Sequence, residues 1–126
     1  MMNRMLVALD DSASALAAAA LAIEFATSRP TELMFVTVAE AANGDDAVLS
    51  HVAELARNAG VASTISTTRG DEPFEALLAA AHGWRADVIV MGRSHTRRPG
   101  DPYVGSQTEH LLEFTDIPVL VVPEPS

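Results

Sequence analysis

The residues best suited to chemistry lie in one segment, MGRSHTRRPGDPYVGSQTEHLL. An apolar stretch ends at Gly92, and a helical pattern opens at Gly105 and Ser106. Glycine lets backbone amides approach a phosphate closely, and the first turn of a helix presents unpaired N–H donors and the positive end of its dipole. The segment therefore predicts an anion-binding loop that suits a nucleotide phosphate. The alternative is that Gly92 only permits a turn and Ser106 only caps a helix.

Positive charge is concentrated in the same segment. The chain has a net charge of −9 with 8 arginines and no lysine, and three of the arginines are Arg93, Arg97 and Arg98. A net acidic chain argues against general nucleic-acid binding, which needs a broad basic face. The absence of lysine excludes a P-loop lysine. The arginine cluster either attracts an anionic ligand or partner, or keeps an exposed loop soluble.

Length and composition predict one domain over residues 1–126. The 126 residues are 48% hydrophobic, which suffices for a core without disulfides or metal. The chain has no cysteine, so it has no thiolate metal site. The apolar run near the start is too short for a signal peptide, and no segment reaches the roughly 20 apolar residues of a membrane helix. We therefore expect a cytoplasmic protein with no membrane contact.

Apolar runs and helical spacings alternate along the chain. Strands are predicted at Arg4–Asp10, Glu32–Ala39, Val61–Thr67, Ala86–Met91 and Pro118–Val122. The first helix is predicted to bury Leu16, Ala19, Ala20 and Ile23, with Ser12 or Ser14 as its N-cap and Pro30 beyond its end. The second helix is predicted between Asp45 and Asn58, with Val48, Val52 and Leu55 facing inward and Gly60 as its C-cap.

The third helix is predicted to bury Phe74, Leu77, Leu78 and Ala81, with Asp71 as its N-cap and Gly83 as the residue that stops it. The fourth helix is predicted at Ser106–Phe114.

This order predicts an α/β fold with a five-stranded parallel sheet and helices on both faces. The more polar third strand is expected near an edge, and the last strand is expected at the other. Ligands of such sheets bind beyond the carboxyl ends of the strands. Five positions are predicted to share that edge: Asp10, Asp11, Val38–Glu40, Gly70 and the loop after Gly92.

These residues resemble the universal stress protein family, and the likeness covers nearly the whole chain. LVALDDSASA is similar to the family's first strand and its serine-bearing turn, and GSQTEHLLEFTDIPVLVVP is similar to its last helix and strand. Gly92, Gly105 and Ser106 have the spacing of the family's G-x2-G-x9-G-[ST] motif. The resemblance implies a Rossmann-like fold of the adenine nucleotide alpha hydrolase type.

The resemblance also implies roles for individual residues. Asp10 would face the adenine and ribose, Val38 would offer main-chain contacts to the base, and Gly92, Gly105 and Ser106 would hold the phosphates. Asp10 has the alternative role of a helix N-terminal carboxylate favoured by the dipole. His95 stands where the family motif has its second glycine. Its imidazole either fills the phosphate's space or donates a ring N–H to the phosphate.

We therefore expect a regulatory protein that binds an adenine nucleotide such as ATP, with Mg²⁺ accompanying it, and not an enzyme, because no nucleophile or general base stands out. A nucleotide-free dimeric interaction module, whose phosphate loop is altered by His95, is the competing hypothesis. A third is an adenylate-forming or phosphohydrolase enzyme on the same fold. The four histidines, His51, His82, His95 and His110, have no metal-ligand spacing.

Two further features concern surfaces. Val119, Leu120 and Val121 belong to the predicted last strand, whose free edge is expected to pair with a second copy in a homodimer, as the resemblance also implies. The alternative is an edge covered by the short tail. Trp84 is expected to be a partly buried anchor at the end of the third helix.

Overall fold

The computed structural model describes residues 3–9, 13–39, 46–69, 73–93, 113 and 115–123. Along the chain these form β1 (Arg4–Leu9), α1 (Ala13–Ser28), β2 (Glu32–Ala39), α2 (Asp46–Asn58), β3 (Ser63–Arg69), α3 (Pro73–Trp84), β4 (Val88–Arg93) and β5 (Val119–Pro123). The predicted fourth helix lies outside the described residues except for Glu113, which is helical.

All pairings in the sheet are parallel, and the strand order is β3-β2-β1-β4-β5. The predicted five-stranded parallel α/β sheet is therefore confirmed. β3 and β5 form its two edges, as expected. The chain extends the sheet in one direction from β1 to β2 and β3, and then returns to add β4 and β5 on the other side of β1.

A core cluster lies on each face of the sheet, because alternate residues of a strand point to opposite faces. Met5, Val7 and Leu9 of β1 join one cluster, which α1 and α2 cover. Leu6 of the same strand joins the other cluster, which contains Leu77 and Ala81 of α3. Helices thus cover both faces, which explains why the central strands are apolar at almost every position.

The buried face of α1 differs from the prediction. Ala19 and Ile23 are buried, but Leu16 is 38% exposed and Ala20 is exposed. Alanines face the sheet in their place, namely Ala15, Ala18 and Ala22. Most residues of this helix are apolar, so the sequence periodicity did not distinguish its buried face from its exposed face. The small alanine side chains face the sheet, because they allow the helix to pack closely against it. Ser14 lies within α1, so it is not the residue that precedes the helix.

The prediction for α2 was also partly wrong. Val52 is fully buried as expected, whereas Leu55 is 40% exposed. Leu49 and Ala56 complete the inward stripe. Residues 49, 52 and 56 follow the i, i+3, i+7 spacing of a single helical face, and Leu55 falls outside that face.

Left-handed residues end two of the described helices, α2 and α3. Gly60 has φ 74° and ends α2, where the Gly60 and Val61 amides donate to the Arg57 and Ala56 carbonyls, so the predicted C-cap is confirmed. Gly83 lies inside α3 and does not stop it, contrary to the prediction. Arg85, with φ 61°, takes the capping position after α3, and the Arg85 and Ala86 amides donate to the His82 and Ala81 carbonyls.

Candidate functional site

The carboxyl edge of the sheet is organised around β1. β2 pairs with β1 up to Thr37 opposite Leu9, and β4 pairs with β1 up to Met91 opposite Ala8. The chain adds β2 and β3 on one side of β1, and β4 and β5 on the other side. The strand order therefore reverses between β1 and β4. Connections leave such a point in opposite directions and open a crevice beyond the strand ends, where ligands of open α/β sheets bind.

The structure brings two predicted site residues to this edge. Val38 follows the Thr37–Leu9 pair on β2, and Gly92 follows the Met91–Ala8 pair on β4. They therefore lie on the two strands that flank β1, level with its carboxyl end. Gly92 is partly buried and pairs with Val122 of β5. The other four predicted site residues lie outside the described residues: Asp10, His95, Gly105 and Ser106.

The strand residues just below this edge are buried. Leu9 is 6% exposed and Thr37 is 1% exposed. The Thr37 hydroxyl donates to Thr67 Oγ1 at 3.3 Å, which joins β2 and β3 close to their carboxyl ends. Buried side chains held in a hydrogen-bonded sheet position neighbouring loops more firmly than loops can position themselves.

A polar cluster that the sequence analysis missed lies at the opposite, amino edge of the sheet. Asp87 Oδ2 accepts the backbone N–H groups of Asn3 at 2.8 Å and Arg4 at 2.9 Å. Arg4 Nη1 donates to the Trp84 carbonyl at 2.8 Å, and Arg4 Nε lies 3.6 Å from Glu32 Oε2. No motif marks these residues, because they come from three separate segments of the chain and converge only after folding.

This cluster stabilises the fold and lies at the end of the sheet opposite the candidate nucleotide site. It borders an open cavity of about 440 Å³ lined by Asn3, Arg4, Glu32, Arg85 and Asp87. Trp84 is partly buried against the α3-side core, which confirms the prediction of an anchor. The cluster joins the start of β1 to the start of β4, so it holds together the two strands whose opposite ends carry the candidate site.

The described histidines give no sign of a metal centre. His51 lies on the exposed side of α2, and His82 lies in α3, where its Nε2 is 3.0 Å from Asp116 Oδ1. Both occupy ordinary helical positions, as expected. Within the described residues, no group of three or more His, Cys, Asp or Glu side chains is placed to hold a metal ion. Within the same residues, no helix has the length and apolar character needed to cross a membrane.

Residues 41–123 match the sequence model of the universal stress protein family. The chain belongs to this family. A curated relative from Thermus aquaticus, named universal stress protein in QAH/OAS sulfhydrylase 3'region, is 42% identical over 50 residues. That alignment spans 40% of this chain and 36% of the relative, so the chain matches little more than a third of the relative's length.

Solved structures of the family share the fold over nearly the whole chain. A universal stress family protein from Burkholderia pseudomallei has a TM-score of 0.78 at 28% identity, covering 97% of this chain and 96% of its own. A universal stress protein in complex with cAMP has a TM-score of 0.83 at 23% identity, with 98% of both chains covered. One from Archaeoglobus fulgidus in complex with dAMP has a TM-score of 0.72 at 21% identity, covering 97% of this chain and 98% of its own.

Proposed function

We propose that this universal stress protein binds an adenine nucleotide at the carboxyl edge of its sheet and acts as a regulatory protein in a stress response. The observation that carries the proposal is the reversal of strand order beside β1, with Val38 and Gly92 on the flanking strands. Two proteins of the same fold have solved structures in complex with cAMP and dAMP, and both ligands carry adenine, a pentose sugar and phosphate. We place its action in the cytoplasm.

Different residues are proposed to contact the base, the sugar and the phosphates of the nucleotide. The Val38 backbone would meet the base, and the Asp10 carboxylate would accept from a ribose hydroxyl. Gly92, Gly105 and Ser106 would meet the phosphates through backbone N–H groups and a hydroxyl. We propose ATP as the nucleotide, with Mg²⁺ held mainly by its phosphates, since Mg²⁺ sites in nucleotide proteins use few carboxylates.

His95 separates this proposal from its main competitor, a nucleotide-free interaction module. A side chain in a left-handed backbone position costs about 1–2 kcal/mol, and 1.4 kcal/mol corresponds to a factor of ten in affinity. Histidine tolerates that conformation better than most residues. The proposal therefore expects His95 to weaken binding modestly at most, whereas the competing module requires it to abolish binding.

The test is a calorimetric titration of nucleotide-stripped protein with ATP, with and without Mg²⁺. Wild type, His95→Gly and Ser106→Ala are compared, and Ser50→Ala is the matched control because Ser50 is exposed on α2. We expect wild type and Ser50→Ala to bind equally and Ser106→Ala to bind more weakly. At a hundredfold excess over Kd, binding should add about 2.7 kcal/mol to the free energy of unfolding, which thermal denaturation detects.

Each outcome favours one hypothesis. Binding by wild type supports the nucleotide sensor. Binding by His95→Gly alone supports the nucleotide-blind module, and no binding by either variant rejects the phosphate-loop assignment. Phosphate release or pyrophosphate exchange that disappears in Asp10→Ala would instead indicate an enzyme.

We also propose that the protein forms a homodimer by pairing of β5 with β5 of a second copy. β5 bonds to β4 on one side only within the described sheet, and Leu120 is 41% exposed. Leu120→Arg should therefore shift the sedimentation coefficient from dimer to monomer. Leu21→Arg is the matched control, because Leu21 is equally exposed, at 40%, on α1. A monomeric wild type, or equal effects of both substitutions, would contradict this interface.

A further inference from the structure

The second free edge of the sheet, β3, has features that indicate an interaction surface. β3 pairs with β2 from Ser63 opposite Leu33 to Arg69 opposite Ala39, and no described strand pairs with its outer side. An edge strand presents a row of N–H and C=O groups that lack strand partners and can pair with another chain. At 7 residues, β3 offers a longer row than β5, which has 5.

Apart from its last residue, Arg69, β3 also lacks the usual devices that prevent edge pairing. Monomeric proteins place charged residues or proline on exposed edges. No residue from Ser63 to Thr68 is charged or proline, although the chain as a whole has a net charge of −9. The β3 edge is thus a neutral strip on which two acidic molecules can meet without placing like charges opposite one another.

One apolar side chain stands out on this strip. Ile65 is 49% exposed, although its register partner Phe35 is fully buried. Next to the start of β3 lies an open cavity of about 480 Å³ lined by Ala53, Arg57 and residues 60–63. Among the described residues, α2 therefore leaves Ile65 and the start of β3 open to solvent. An extended partner would cover Ile65 and satisfy the unpaired backbone groups together.

We propose that β3 pairs with β3 of a second copy, antiparallel, with the two-fold axis between the two Ile65 residues. This register buries both isoleucines against each other, the gain that the hydrophobic effect favours. It sets Thr64 opposite Ser66 and Ser63 opposite Thr67, so hydroxyl-bearing residues face hydroxyl-bearing residues. A two-fold interface uses the same surface on both copies. The β3 edge meets this requirement, because in this register isoleucine faces isoleucine and hydroxyl-bearing residues face one another.

The charge of the edge selects a second copy over a peptide of another protein. Peptides that add a strand gain specificity from side-chain pockets or charges, and residues 63–68 supply no charge. Six residues of edge pairing bury less than the roughly 1,600 Å² of a standard stable interface. We therefore expect association that depends on protein concentration. The inference does not rest on nucleotide binding or on the β5 interface.

The absence of cysteine from the chain allows a direct test by disulfide trapping. Ile65→Cys, Thr64→Cys and Thr67→Cys are oxidised under identical conditions in a Leu120→Arg background, which removes any β5 pairing. Residues directly opposite in an antiparallel pair have Cα atoms about 4.5–5.5 Å apart, within the range of a disulfide. Two Thr67 residues in the proposed register would be about 13 Å apart, which no disulfide spans.

We expect the Ile65→Cys variant to form a covalent dimer at least about tenfold faster than Thr64→Cys or Thr67→Cys, with a rate that rises with protein concentration. In the same Leu120→Arg background, sedimentation equilibrium at millimolar protein should show association that Ile65→Lys abolishes and Thr27→Lys, on the exposed side of α1, preserves. Equal crosslinking rates at the three positions would overturn the register. No association of the Leu120→Arg parent at millimolar concentration, or association of that parent unaffected by Ile65→Lys, would overturn the interface. Circular dichroism confirms that each variant is folded.

Discussion

The guanidinium of Arg4 lies 5.7 Å from the centre of the Trp84 ring, and its Nη1 donates to the Trp84 carbonyl at 2.8 Å. This contact joins the first residue of β1 to the last residue of α3. Asp87 Oδ2 accepts two hydrogen bonds from backbone N–H groups at the same end of β1, and the Asp87 amide donates to the Arg4 carbonyl at 2.8 Å. The amino edge of the sheet is therefore held by polar contacts, whereas its centre is held by apolar packing.

Asp87→Ala should lower the free energy of unfolding by about 1–2 kcal/mol, because it leaves two backbone N–H groups without their acceptor. Asp87→Asn keeps an oxygen acceptor and should recover part of the loss. Asp116→Ala is the control, since Asp116 is 73% exposed and its contact with His82 is at the surface, where such pairs contribute less than about 1 kcal/mol. Urea denaturation measures all three variants. Equal losses for Asp87→Ala and Asp116→Ala would show that the Asp87 hydrogen bonds do not stabilise β1.

The same substitution at two glycines should have opposite effects. Gly83 lies inside α3, where an added Cβ would meet no heavy atom within 4 Å, so Gly83→Ala should stabilise the protein by about 0.5–1 kcal/mol. Gly60 has φ +74°, so Gly60→Ala should destabilise it by about 1 kcal/mol although space is also free there. Chemical denaturation of the two variants side by side checks the signs. A stabilising Gly60→Ala would refute the left-handed cap of α2.

Arg85 carries a side chain in a conformation that glycine adopts more easily. Its φ of 61° is left-handed, so Arg85→Gly should raise the free energy of unfolding by about 0.5–1 kcal/mol, the conformational penalty less the entropy that glycine adds to the unfolded chain. Arg57→Gly changes the same residue type within the last turn of α2 and should lower stability by about 1 kcal/mol. Thermal denaturation distinguishes the two. A loss in both variants would mean that contacts of the Arg85 side chain outweigh its backbone strain.

The buried face of α1 can be tested with neighbouring alanines. Ala19 has no exposed surface, so Ala19→Leu should destabilise the protein by about 1–3 kcal/mol through overpacking against the sheet. Ala20 is exposed on the same turn, and Ala20→Leu should change stability by less than about 0.5 kcal/mol. Urea denaturation compares the pair. Comparable losses at positions 19 and 20 would restore the stripe that periodicity had predicted, because that stripe buries both residues.

Sequence patterns predicted the strands well, since a sheet covered on both faces requires short runs of apolar residues. The prediction for β2, Glu32–Ala39, coincides with the observed strand, and β3 begins two residues after its predicted start. Helix faces were harder. In α1 nearly every residue is apolar, so Leu16 and Ala15 are equally plausible core residues until the distance to the sheet selects the smaller one.

Part of the candidate site followed from the order of the elements. Alternating strands and helices imply a parallel sheet, and a parallel sheet places all carboxyl ends at one edge, where Val38 and Gly92 lie. The roles of Asp10, His95, Gly105 and Ser106 stay predictions, because these residues lie outside the described part of the chain.

The sequence by itself determined the fold class, the number and position of the strands, and membership of the universal stress protein family, because these depend on local periodicity and on motif spacing. Only the tertiary structure decided that β1 lies at the reversal of strand order, that Arg85 rather than Gly83 caps α3, and that Asp87 holds the start of β1. Those features depend on contacts between residues that are distant along the chain. Asp87 and Arg4 are separated by 83 positions, and only the folded sheet brings their atoms within hydrogen-bonding distance.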